Sequence, residues 1–202
     1  MNRSIALTGL LGLFGVSAWM MSGLAAAQSP TACALIGEKE ALALVGGPLG
    51  EISKGEQKPT AQNGQDHNTR CSFFPKGYDL RNAPDRPPER GLILELHAMR
   101  NSADAKAFYE KEVGTAQQSA KAPVSAFAGG KAVTRVTPQS GIGTAATMEA
   151  DTITFEPKAV FHMATVHFLK GSVMGQLTVW RKAEPADEIS RAAAKQVIAK
   201  LP

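Results

Sequence analysis

Residues Ala159 to Leu169 and Ser172 to Arg181 alternate along their length and are separated only by Lys170-Gly171. No other segment constrains the fold as strongly. Two such runs with a short glycine-containing connection predict an antiparallel hairpin. This reading pairs Phe168 with Val173, Val166 with Gly175, Ala164 with Leu177 and His162 with Val179. That face is apolar and should meet a core. The other face sets Leu169, His167, Thr165, Met163 and Phe161 against Ser172, Met174, Gln176, Thr178 and Trp180. It is mixed, so either a second layer covers it or it meets a partner.

The flanking segments predict the layers. A helix is expected over Glu38 to Val45, with acids in its first turn and Gly46-Gly47-Pro48 to stop it. Arg70 to Phe74 reads as a short strand ended by Pro75. Gly91 to Met99 reads as a strand with Leu92, Leu94, Leu96 and Ala98 on one face and Ile93, Glu95, His97 and Met99 on the other. Asn101-Ser102 opens a helix to about Val113, and Pro185 to Leu201 forms a last helix with Ile189, Ala193, Val197 and Leu201 in its stripe. A short strand is expected at Ala132–Val136. Residues 51–69, 77–89 and 114–143 are otherwise expected as flexible loops. The order predicts an α+β fold, a mainly antiparallel sheet with helices packed on it, in a single domain over residues 28–202.

The first 27 residues carry an address. Arg3 precedes an uncharged run from Ile5 to Leu24, and Ala25-Ala26-Ala27 stands before Gln28. That order predicts a cleaved secretory signal over residues 1–27. An uncleaved anchor is the alternative, but Gly9, Gly12, Gly15, Ser17, Ser22 and Gly23 dilute the run and no basic cluster follows it. Lipidation at Cys33 is disfavoured, because Pro30, Thr31 and Ala32 precede it and no leucine stands three residues before. The expected location is periplasmic or secreted, with no stable membrane insertion after cleavage.

About 175 residues then remain, enough to bury a core without relying on disulfides. The formal net charge is +4, one unit of which is Arg3, and no basic stripe is present. Aromatic residues make up only 6%, too few for a stacking platform, so nucleic-acid binding is not expected. Cys33 and Cys71 are the only cysteines. In an exported chain an even count points to one structural disulfide. The sharper alternative, a redox or metal pair, lacks Cys-x-x-Cys spacing and an adjacent histidine.

Catalytic patterns are weak. His162 and His167 fall on opposite faces of one strand and cannot chelate together. His97 and His167 would converge only on neighbouring strands, with Glu95 as a third ligand. Asp66-His67 sits in a polar stretch. Ser140-Gly141-Ile142-Gly143 is not a nucleophile elbow, and Gly141-Ile142-Gly143 lacks the helix of a dinucleotide loop. It predicts a tight bend entering a strand. No catalytic residue and no cofactor is assigned. The candidate ligand or partner surface is Phe161, Met163, Met174 and Trp180, large apolar side chains on the mixed hairpin face. Burial in the core is the competing explanation for them.

Cys33-Ala34-Leu35-Ile36, the Glu-rich helix ending at Gly46, Arg70-Cys71-Ser72-Phe73, Gly141-Ile142-Gly143-Thr144-Ala145-Ala146 and the terminal hairpin with its helix follow in that order. Together they resemble bacterial exported proteins and lipoproteins that carry a domain of unknown function, some related to the PsbP-like α/β/α sandwich. The resemblance implies a compact sheet-and-helix domain with a Cys33–Cys71 disulfide, and it carries no catalytic residues. The expected function is a non-catalytic binding or interaction module of the cell envelope, its partner an unknown protein or a small apolar ligand. The alternatives are a small exported hydrolase or metal-dependent enzyme using His97 or His167, and an inhibitor of an envelope enzyme.

Overall fold

A computed structural model describes residues 31–45, 52–60, 65–78, 87–121, 124–126, 129–156 and 159–202. The expected signal, residues 1–27, lies outside the described residues. In chain order the elements are α1 (Ala32–Leu35), α2 (Glu38–Val45), β1 (Ile52–Thr60), β2 (Gln65–Pro75), β3 (Arg90–Met99), α3 (Ser102–Ser119), β4 (Val124–Ala126), β5 (Gly130–Pro138), β6 (Ala145–Phe155), β7 (Ala159–Lys170), β8 (Val173–Lys182) and α4 (Asp187–Lys200).

The strands form one eight-stranded sheet in the order β1-β2-β3-β8-β7-β6-β5-β4, and every neighbouring pair is antiparallel. Two meanders meet at the centre. The chain leaves β3, forms α3, resumes as β4 at the far edge and returns strand by strand until β8 pairs with β3. The α+β, mainly antiparallel expectation is met.

Alternation sorts the side chains between the faces. Phe73, Leu92, Leu94, Leu177, Val179, Ala164, Val166, Phe168 and Met148 share one buried cluster with Leu35, Ala41 and Val45 of α1 and α2 and Ala193, Ala194 and Val197 of α4. The alanines bring α4 close enough for the Ser190 hydroxyl to donate to the Ala164 carbonyl at 2.8 Å. On the other face, Ala105 and Tyr109 of α3 cluster with Met99, Leu169 and Met174. The disulfide between Cys33 and Cys71 fastens α1 to β2, with Cα atoms 5.0 Å apart. Beside it the Ala32 amide donates to Thr69 Oγ1 at 2.9 Å.

Several expectations need correction. The hairpin turn is Gly171-Ser172, and Phe168 stands opposite Gly175, Ala164 opposite Val179 and Met163 opposite Trp180. Gly171 takes a φ of 58°, the conformation glycine supplies at the first position of a tight hairpin turn. Lys170 stays in β7, and its Nζ donates to the Ile198 and Leu201 carbonyls at 3.2 and 2.5 Å. The register moves by two residues, so every side chain keeps its expected face.

Residues 51–69, expected as a loop, contain β1 and the start of β2. β1 is an edge strand, and an edge needs no apolar run to hold it. Residues 114–143 contain the end of α3 together with β4 and β5. Helix α3 runs through Gly114 to Ser119 because Ala116 is buried, while Thr115 and Ser119 bond back to the Lys111 and Thr115 carbonyls. β5 shows little apolar signal because it sits next to the three-residue β4 at the edge; its Val133 is 61% exposed. Of 77–89, residues 79–86 lie outside the described residues, and 87–89 precede β3 without joining it. The bend at 141–143 does enter a strand: Gly143 has φ 59°, and a side chain there would meet the Leu169 carbonyl oxygen at 2.2 Å.

Candidate functional site

Phe161, Met163, Met174 and Trp180 lie on one sheet face, as their alternation requires. The structure does not gather them. Met174 is fully buried beneath α3 with Leu169 and Tyr109. Phe161 packs with Ala132, Ile153 and Phe155, its ring edge-on to Phe155 at 5.7 Å. Leu169, opposite Met174, lies about 27 Å along β7 from Phe161. Trp180 and Met163 alone come together, directly opposite one another, in a cluster with Phe74, Ile93 and Tyr78.

That cluster has a visible cause. Trp180 pairs with Gly91 of β3. Gly91 has no side chain, and a Cβ there would stand 2.5 Å from the Phe74 ring. Phe74 therefore lies over Gly91 with its ring centroid 5.8 Å from Trp180 and 5.2 Å from Tyr78. Trp180 is 6% exposed. Its Nε1 and the Tyr78 hydroxyl are both buried, and among the described residues neither has a hydrogen-bond partner. Each such donor costs about 1–3 kcal/mol unless something else accepts from it. Burial also raises the Tyr78 pKa. The approach of Phe74 and Tyr78 to Trp180 depends on the β2–β3–β8 register, which no local sequence pattern encodes. Alternation in Arg70–Phe74 was the available signal.

The row continues into polar residues. Met163 stands between Trp180 on β8 and Asp151 on β6. Asp151 is 7% exposed and accepts from Thr134 Oγ1 at 2.5 Å. Burial pushes its carboxyl up to about 6; the Thr134 bond opposes that shift and the charge of Glu149 adds to it. Next along the strands, the Thr165 and Thr178 hydroxyls bond at 2.9 Å. His167 Nε2 lies 3.3 Å from Glu149 Oε2, and His167 Nδ1 is buried with no partner among the described residues. Closer to α3, Tyr109 Oη bonds Thr147 Oγ1 at 2.8 Å and Gln176 Nε2 donates to Glu112 at 3.2 Å. The face therefore passes from an aromatic end, through a polar strip, to the α3-covered end.

The histidines do not converge. β8 lies between the strands that carry His97 and His167, and they pair with Met174 and Gln176 respectively. The His97 ring contacts Phe108 at 5.0 Å, burial lowers its pKa, and Glu95 is engaged by Arg70 at 3.2 Å. His162 faces the other way, beside Thr152. His67 lies near the start of β2. Among the described residues no group of three His, Cys, Asp or Glu could hold a metal.

Asp151 makes a pH prediction. Its carboxyl rises from 3.8 in the unfolded chain to about 6 in the native protein. The native state then holds the proton more tightly, so stability falls as pH rises through this window, and the penalty is complete above it. Asp151→Asn keeps an acceptor for Thr134 and should gain roughly 1–3 kcal/mol above pH 6. Below pH 3.8 the advantage should vanish. Urea unfolding of both proteins across the window checks this; an advantage that does not change with pH would place its origin elsewhere.

No protein family and no curated protein matches the chain. Among solved structures, the extracellular domain of PknH from Mycobacterium tuberculosis is similar, with a TM-score of 0.54 and 12% identity over 82% of this chain and 96% of that one. At that identity the likeness is one of fold. The PsbP-like resemblance stays an expectation from the sequence motifs. No helix among the described residues is long and apolar enough to cross a membrane.

Proposed function

We propose that the chain is an exported, non-catalytic binding module of the bacterial cell envelope, with residues 1–27 removed and residues 28–202 acting as one domain. The Cys33–Cys71 disulfide supports an oxidising destination. The fold likeness to an extracellular domain points the same way. The binding surface is the Met163–Trp180 side of the hairpin with Phe74 and Tyr78. The observation that carries this is the pair of buried donors, Trp180 Nε1 and Tyr78 Oη, with no acceptor among the described residues. Buried polar groups in folded chains are nearly always hydrogen-bonded, so two neighbouring donors without an acceptor call for a partner, and a ligand is the one this reading assigns.

The test is native mass spectrometry of protein made with its own signal and purified from the periplasm. The expected species begins at Gln28, is two hydrogens lighter than the reduced chain, and carries additional non-covalent mass. Trp180→Phe keeps an aromatic ring in the cluster and removes the N–H. It should fold with a stability within about 1 kcal/mol of the wild type and lose that mass. A bare wild-type protein, or a variant that retains the same mass, overturns the reading.

A further inference from the structure

We infer that the strip from Trp180 across Met163 to Asp151 binds a polyhydroxylated ring, the chemistry of a sugar. This rests on the binding-module reading and names the ligand class of the same site.

The geometry comes from the register. Trp180, Met163 and Asp151 occupy one row on the adjacent strands β8, β7 and β6. Adjacent strands are about 4.8 Å apart, so the two outer backbones stand roughly 10 Å apart with side chains rising from the same face. One pyranose-sized ring with hydroxyls on both sides spans that gap. Met163, half-buried, lies beneath its middle.

Hydrogen-bond valence selects the chemistry. At the aromatic end Trp180 Nε1 can only donate, and it is buried without an acceptor among the described residues. The Tyr78 hydroxyl beside it is in the same condition. At the β6 end stand the carboxyls of Asp151 and Glu149, which accept from Thr134 and His167 through one oxygen each. Each carboxyl has further acceptor capacity. A ligand must therefore accept at one end and donate at the other. Hydroxyl groups do both. An aliphatic ligand would leave Trp180 Nε1 and the Tyr78 hydroxyl without an acceptor. A phosphate or carboxylate would be repelled by the Glu149 side. A bare organic cation would offer Trp180 and Tyr78 no acceptor. The partly buried Tyr78 ring, packed on Phe74 and Trp180, adds apolar surface for the C–H face of a sugar ring. A polar ligand takes the place of the small apolar one expected from the sequence because Asp151 stands across Met163 from Trp180, with Glu149 one row along.

Trp19 and Trp180 are the only tryptophans, so residues 28–202 give a single indole N–H signal in a proton–nitrogen correlation spectrum. That protein, disulfide intact, would be titrated separately with glucose, N-acetylglucosamine and arabinose to about 0.1 M, and with octanoate as the apolar probe. The expected result is a saturable shift of the indole signal with at least one sugar and none with octanoate. Asp151→Asn turns one acceptor into a donor and should weaken that sugar at least about tenfold while the rest of the spectrum stays native. Lys106→Ala, on exposed α3, should leave it unchanged. A shift with octanoate and with no sugar overturns the sugar assignment and keeps the binding-module reading. No saturable shift with any of the three sugars, or sugar binding that Asp151→Asn leaves intact, overturns the assignment.

Discussion

Gly175→Ala is expected to cost about 3 kcal/mol, near the upper end for overpacking a core. Gly175 stands directly opposite Phe168 in the central hairpin. A Cβ there would lie 2.1 Å from Phe168 Cζ, with Cε2 and Cε1 at 2.4 and 2.9 Å. The ring cannot easily yield. Phe168 is fully buried in the cluster that joins the sheet to α1, α2 and α4. The backbone is equally confined, because β8 is bonded to β7 on one side and β3 on the other. For a chain of this size the loss should lower the melting temperature by roughly 6–12 °C. Thermal and urea unfolding would measure it. The clash is specific, so Phe168→Leu should cost stability alone yet recover part of the Gly175→Ala loss when the two are combined. Strict additivity would show that the loss arises from something other than this contact.

Removing the disulfide is expected to cost about 2–4 kcal/mol. Cys33 and Cys71 are 38 residues apart, and closing a loop of that length restricts the unfolded chain by roughly 4 kcal/mol in the entropy model. The native state adds a local reason. α1 has four residues, too few to persist as an isolated helix. It is held by the disulfide, by the Ala32–Thr69 hydrogen bond and by Ala32, Leu35 and Ile36 in the core. A Cys33→Ser, Cys71→Ser double variant should therefore lose amide protection first in α1 and α2, while β6, β7 and β8 keep theirs. Hydrogen exchange with urea unfolding reads both effects. Unchanged stability with uniform protection would show that packing alone holds α1.

Much of the architecture is legible in the chain because it depends on local spacing. The bounds of α2 follow from acids at its start and glycines after its end. Asn101 marks the start of α3, where its side chain accepts from the Asp104 amide at 2.8 Å. The two faces of β3 and of the hairpin follow from alternation, which survives even the two-residue error in register. Edge elements are less legible. β1 and β5 pair as strands at or near the ends of the sheet, where little apolar burial is required of their sequences.

The candidate site divides along the same line. Alternation alone determined that Phe161, Met163, Met174 and Trp180 share a face, because successive strand side chains point to opposite sides. The assembled sheet and its helices put Met174 under α3, Phe161 against Phe155, and Trp180 against Phe74 over Gly91. The same assembly brought Asp151, in a strand the sequence marked only by the bend before it, into the row of Met163 and Trp180. The physical reason is range. Which way a side chain points is a property of its own few residues. Which side chains it meets depends on strand order and register, and those are settled by pairings between segments far apart in the chain.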